Sequence, residues 1–99
     1  MTSVEKFAAL GLQWQLSSDP INVRRKGHPI EYALSPNDYE IKARLRVYPN
    51  GSAWWIVYGV ASSLENTGEA NAKELACTAV LKRVEVLAAK SEKFLNARP

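Results

Sequence analysis

Between residues 39 and 58 the chain alternates with a period of two: Ile41, Ala43, Leu45 and Val47 are apolar, while Lys42, Arg44 and Arg46 between them are cationic. That period belongs to a strand whose side chains point alternately to opposite faces. A second strand-like run, Ser52 to Tyr58, follows the dipeptide Asn50-Gly51. Asn-Gly between two such runs predicts a two-residue type I′ hairpin, because both central residues need a positive φ. This turn pairs Pro49 with Ser52, Val47 with Trp54, Arg46 with Trp55, Leu45 with Ile56 and Ala43 with Tyr58. One face then gathers Ile41, Ala43, Leu45, Val47, Trp54, Ile56, Tyr58 and Val60; the other holds Lys42, Arg44, Arg46, Tyr48, Trp55 and Val57. A slip of one residue would exchange the faces of one strand against the other.

The flanking pattern predicts further elements. Thr2-x-x-Glu5 fits a capping box and Gly11 a helix C′ residue, with Val4, Phe7, Ala8 and Leu10 on one face, so a helix is expected over 3–10. Leu12, Trp14 and Leu16 alternate with Gln13 and Gln15, a pattern that fits a first strand or, with Gly11 as the only obstacle, a continuation of the helix. Short strands are read at 21–26 and 30–34, joined through Gly27-His28-Pro29, and a poor one at 64–69 that Asn66 and Gly68 weaken. Asn71 as N-cap with Glu74 three residues on starts a long helix expected over 72–94. Its apolar residues Ala72, Leu75, Ala76, Ala79, Val80, Val84, Leu87 and Ala88 recur at helical spacing.

Together these elements predict an α+β fold: an antiparallel sheet of three or more strands, a long C-terminal helix packed on one face and a short N-terminal helix, in a single domain spanning 1–99. The alanine stripe of Ala72, Ala76 and Ala79 is expected to meet Trp54 and Tyr58, so that Trp54→Ala should cost about 3–5 kcal/mol. A helix of this length, about 35 Å, outruns a strand of about 27 Å. Cys77 and Leu81 widen its apolar arc. Either the N-terminal helix or a second copy of the chain must cover them, and the overhang tilts the expectation towards a homodimer.

Composition narrows the function. The 99 residues carry a net charge of +3 and a single cysteine, which suits a reducing compartment, and no run is long enough to span a membrane. With no basic, apolar leader at the start, a cytoplasmic protein is expected. All of the excess charge lies between Arg24 and Arg46, where six basic residues face Glu31, Asp38 and Glu40. His28 is the only histidine, so no zinc or iron ligand set can be assembled. Cys77 sits in an apolar helical run as a structural thiol, and no glycine pattern of a phosphate-binding loop occurs. Neither catalysis nor a cofactor is expected. What remains is a cationic-aromatic surface of Lys42, Arg44, Arg46, Tyr48 and Trp55, supplemented by Arg24, Arg25 and Lys26. Such a surface suits an acidic protein partner or, alternatively, stacked bases of a nucleic acid.

The stretch Trp54-Trp55-Ile56-Val57, followed by Gly68-Glu69-Ala70 and by Ala72, Ala76 and Leu81, resembles in style the short proteins of bacteriophages and prophages that join a Trp-rich antiparallel sheet to an Ala-rich C-terminal helix. The resemblance implies a host-takeover or anti-defence factor that binds a host protein stoichiometrically, as anti-CRISPR proteins do. The order helix, strands, helix is also similar to the double-stranded RNA-binding domain. That family places a basic cluster at the start of its last helix, where this chain has Asn71, Lys73 and Glu74.

Overall fold

The computed structural model describes residues 2–17 and 29–96. The expected strand at 21–26 and His28 lie outside the described residues. The elements run α1 (Ser3–Ala9), β1 (Trp14–Leu16), β2 (Ile30–Leu34), β3 (Ala43–Val47), β4 (Ser52–Val57), β5 (Ala61–Ser62), β6 (Thr67–Gly68) and α2 (Glu69–Asn96). All strand pairs are antiparallel, in the order β1-β2-β3-β4-β5, and β6 also pairs with β4. The fold is α+β, as the periodicities predicted. The poor strand expected at 64–69 is replaced by two short ones that share the outer edge of β4 at its two ends. Ser63 fills the gap between them: its N–H donates to Trp55 O at 2.9 Å and its hydroxyl accepts from Trp55 N–H at 3.1 Å.

The hairpin differs from expectation by one residue. Tyr48 N–H donates to Ser52 O at 2.8 Å and Gly51 N–H to Tyr48 O at 3.0 Å, so the loop is Pro49-Asn50-Gly51 and Val47 pairs with Ala53, Arg46 with Trp54, Leu45 with Trp55. The cause is proline. A two-residue loop would be closed by Pro49 and Ser52 exchanging both of their N–H···O bonds, and proline has no N–H to give. Closure therefore moves out to Tyr48. Pro49 takes the first central position of a type I turn, which its φ suits, and Gly51 adopts the left-handed conformation with φ 86. Asn50 Oδ1 secures the turn by accepting from Ser52 N–H at 3.0 Å and Ser52 Oγ at 2.7 Å. Gly51→Ala should destabilise by about 1–2 kcal/mol through the left-handed backbone alone, since open space surrounds the site of the new methyl. Urea denaturation measures it.

The slip decides the core. Ala43, Leu45, Ala53, Trp55 and Val57 face α2, where Ala72, Ala76, Ala79, Cys77 and Val80 meet them, all buried. The alanine stripe thus does line the core, but against Trp55, not against Trp54 and Tyr58. Alanines suit the position because they let the helix approach the sheet around one large indole. Phe7 and Leu12 close the same core from the α1 side, and the Phe7 ring stacks on Trp14 at 5.5 Å. Cys77 is fully buried in this core, with the Trp14 indole beside it.

The helix α1 begins at Thr2, whose hydroxyl accepts from Glu5 N–H at 3.1 Å, and turns out of its last turn through Gly11, with φ 78, as the sequence pattern predicted. α2 starts two residues before Asn71, so Glu74 does not serve its own helix as a capping partner. Its carboxylate instead accepts from the backbone N–H groups of Ser3 at 2.7 Å and Val4 at 3.3 Å, filling donors that a helix start leaves open. Thr78 Oγ1 adds a bond to Ser3 Oγ at 2.7 Å. The Ser3 and Val4 amides hold the Glu74 carboxyl below its usual range. With the folded pKa below the unfolded one, this stabilisation is complete above the ordinary carboxylate range and disappears as the pH falls through the lowered value. Glu74→Gln should therefore flatten the acid limb of stability against pH, which denaturation at a series of acidic pH values reads directly.

Along its 28 residues, about 42 Å, α2 outruns the sheet. Among its residues up to Lys90, Val80 is the last buried one, Val84 and Leu87 are partly covered, and Lys90 is exposed. Among the described residues no helix is long and apolar enough to cross a membrane.

Candidate functional site

Both helices lie on one side of the sheet. The other face carries Glu31 and Ala33 on β2, Arg44 and Arg46 on β3, and Trp54 and Ile56 on β4, with Lys42, Tyr48 and Tyr58 at the strand ends. No described element covers it. Its rows run across the strands: Glu31, Arg46 and Trp54 in one; Ala33, Arg44, Ile56 and Ser62 in the next; Lys42 opposite Tyr58 in the third.

The predicted cations Lys42, Arg44 and Arg46, with Tyr48, do share this face. Trp55 does not. It is 7% exposed and belongs to the core beneath α2, because the three-residue loop turns it inward; Val57 goes with it. The face instead displays Trp54, Ile56 and Tyr58, the last 50% exposed. These three and Glu31 are what sequence reasoning missed. The available signal was the missing N–H of Pro49. Arg24, Arg25 and Lys26 lie outside the described residues.

The side chains are coupled. Glu31 Oε1 accepts from Arg44 Nη1 at 3.1 Å and lies 3.5 Å from Arg46 Nη2, so one oxygen serves two guanidinium groups. The Arg46 guanidinium sits 5.5 Å from the centre of the Trp54 ring, within cation–π range. The Tyr48 side chain, and Glu31 beside it, hold Arg46 still more firmly in its charged form against the pull of partial burial. Arg46 thus lies over the indole with its side chain 37% exposed, while the Arg44 side chain is 54% exposed. Beside it, the small Ala33 leaves a depression of about 340 Å³ edged by Lys42, Arg44 and Tyr58. Lys42 makes no ion pair among the described residues. This depression can seat one anionic group.

The approach to the depression is shaped by a loop the sequence reading left unassigned. Asn37 Nδ2 donates to Ser35 O and Ile41 O at 2.9 and 3.1 Å, and its Oδ1 accepts from Tyr39 and Ile41 N–H at 3.1 and 3.2 Å. These four bonds hold Glu40 in a left-handed conformation, φ 56, and deliver Lys42 to the start of β3.

No family model, curated protein or solved structure matches the chain. The surfaces alone must therefore carry the functional argument. A larger groove of about 640 Å³ runs between α1 and α2, lined by Lys6, Leu10, Thr78, Leu81, Lys82 and Glu85 among others, but it brings no buried polar group to a focus. Burial pushes the Cys77 thiol up, only partly offset by the Trp14 indole beside it. A buried, protonated thiol is a poor nucleophile.

Proposed function

We propose that this chain is a non-catalytic binding protein whose open sheet face engages an acidic surface on another protein. The reading rests on one observation: Arg44, Arg46 and Lys42 are interleaved with Trp54, Ile56 and Tyr58 on a face that no described element covers. Arginine, tryptophan and tyrosine are the side chains that concentrate binding energy at protein interfaces. A carboxylate of the partner fits the depression between Lys42, Arg44 and Tyr58, while apolar side chains flanking it meet Trp54 and Ile56. The resemblance to phage-type accessory proteins, carried by the sheet and the alanine-lined helix, points to a bacterial host protein in the cytoplasm as the partner and to inhibition or modulation by occupancy.

Glu31 argues for protein over nucleic acid. It sets a negative charge beside the two arginines that a phosphate backbone would use, and it pairs with both. The test is capture from a bacterial lysate with wild-type chain and with Trp54→Ala side by side. A protein retained in equal stoichiometry by wild type and lost from the variant supports the reading. Equal retention by both, or recovery of nuclease-sensitive material alone, contradicts it.

A further inference from the structure

The ion-pair cluster of Glu31, Arg44 and Arg46 does little for stability, because the Arg44 side chain is more than half exposed and that of Glu31 a quarter exposed, and solvent screens such pairs. Its geometry nevertheless has a consequence for what can bind. One carboxylate oxygen satisfies guanidinium groups from two successive outward positions of β3, as a bound anion would. We propose that Glu31 is the specificity-determining residue of the open face: its carboxylate stands in for a ligand anion between Arg44 and Arg46, leaving room for a single acidic side chain at Lys42 and denying the face to the continuous polyanion of a nucleic acid. This deepens the binding role proposed above and rests on it.

Among the described residues, three cations, Lys42, Arg44 and Arg46, share the face with the Glu31 carboxylate. A protein partner that offers one or two carboxylates among apolar groups needs only Lys42 and the free side of Arg44. A single-stranded nucleic acid draws its affinity from several phosphates neutralised in succession, and bases stacked on aromatic rings add to it. Trp54 and Tyr58 offer the rings. Glu31 reduces the charge on offer, because its carboxylate already offsets part of the positive charge of the two guanidinium groups that would meet successive phosphates. Removing that carboxylate, with the side-chain shape kept, converts an acidic-protein face into one able to follow a phosphate backbone.

The experiment compares wild type, Glu31→Gln, Glu31→Asp and Glu85→Gln for binding of a fluorescein-labelled oligothymidylate, read by anisotropy. Glu85 is exposed on α2, on the helical side of the molecule, so its substitution changes the net charge by the same single unit. Glu31→Gln should bind about tenfold more tightly than wild type at low salt, with a log–log salt slope steeper by about 0.7–1.4, the value for one or two added phosphate contacts on a single strand. Glu31→Asp and Glu85→Gln should stay at the wild-type level, and circular dichroism should report the same fold for all four. Equal tightening by Glu31→Gln and Glu85→Gln would reduce the effect to net charge and overturn the proposal. So would no tightening by Glu31→Gln, or wild type binding as tightly as that variant. The readout needs no protein partner: if it fails, a capture that depends on Trp54 still stands, and if capture fails, the Glu31 comparison still stands.

Discussion

Trp55→Ala is expected to destabilise the protein by about 3–5 kcal/mol, the cost of emptying a large aromatic site in a packed core. The same substitution at Trp54 should cost only about 1 kcal/mol, the scale of one cross-strand pair on an open face. Two adjacent tryptophans thus separate into a structural and a surface residue, and denaturant titrations of the two variants measure the separation. Trp55→Phe adds a finer test. Among the described residues the Trp55 indole N–H has no hydrogen-bond partner although it is buried, a situation that costs free energy. Phenylalanine removes that donor while keeping most of the ring, so this variant should lose distinctly less than alanine. If Trp54→Ala proved the more damaging change, the loop would have two residues and both faces of β4 would be exchanged.

This pair also shows where the sequence was legible. The faces of β3 follow from the chain alone, because cationic and apolar residues alternate from Ile41 to Val47 and only one side can be buried. β4 offers no such contrast. Both of its sets, Ala53, Trp55 and Val57 or Trp54, Ile56 and Tyr58, are apolar, so hydrophobic pattern could not choose between them and the turn had to. Asn50-Gly51 suggested a two-residue loop, but the residue before it decides, by lacking a donor at the closing pair. The helices were readable from their spacing and caps, whereas Ile30–Leu34, a strand with the expected bounds, was readable from its length between turn residues, and Trp14–Leu16 had a helix as its alternative.

Long-range polar contacts were not readable. Glu74 looks like a capping partner for its own helix, and only the packing of α1 on α2 shows that it caps the other one. Glu31 is one acidic residue in a basic segment until antiparallel pairing sets it opposite Arg46 and within reach of Arg44. The cationic half of the candidate site could be found in advance because it occupies a single strand. Its aromatic half and its carboxylate lie on neighbouring strands, and their membership depends on register.

If the open face binds a protein partner as proposed, Trp54 should be its hot spot, and Trp54→Ala should weaken the complex by about 2 kcal/mol or more, at least about 30-fold in Kd. The expectation follows from its position. Trp54 lies partly buried between Arg46, which covers it from the β3 side, and the outer edge of β4, so its ring is held in place before any partner arrives. An aromatic ring already packed against a neighbour contributes contact area at little entropic cost, and the arginine over it is itself paired with Glu31 at 3.5 Å. Tyr58, half exposed at the strand end, lacks such support and should matter less. Titration calorimetry with the captured partner would compare Trp54→Ala, Tyr58→Ala and wild type, all three retaining a cooperative unfolding transition. A larger loss at Tyr58 would move the centre of the interface to the Lys42 end of the sheet. Loss at neither would take the contact off this face altogether, because no partner could dock on β3 and β4 without meeting one of the two rings.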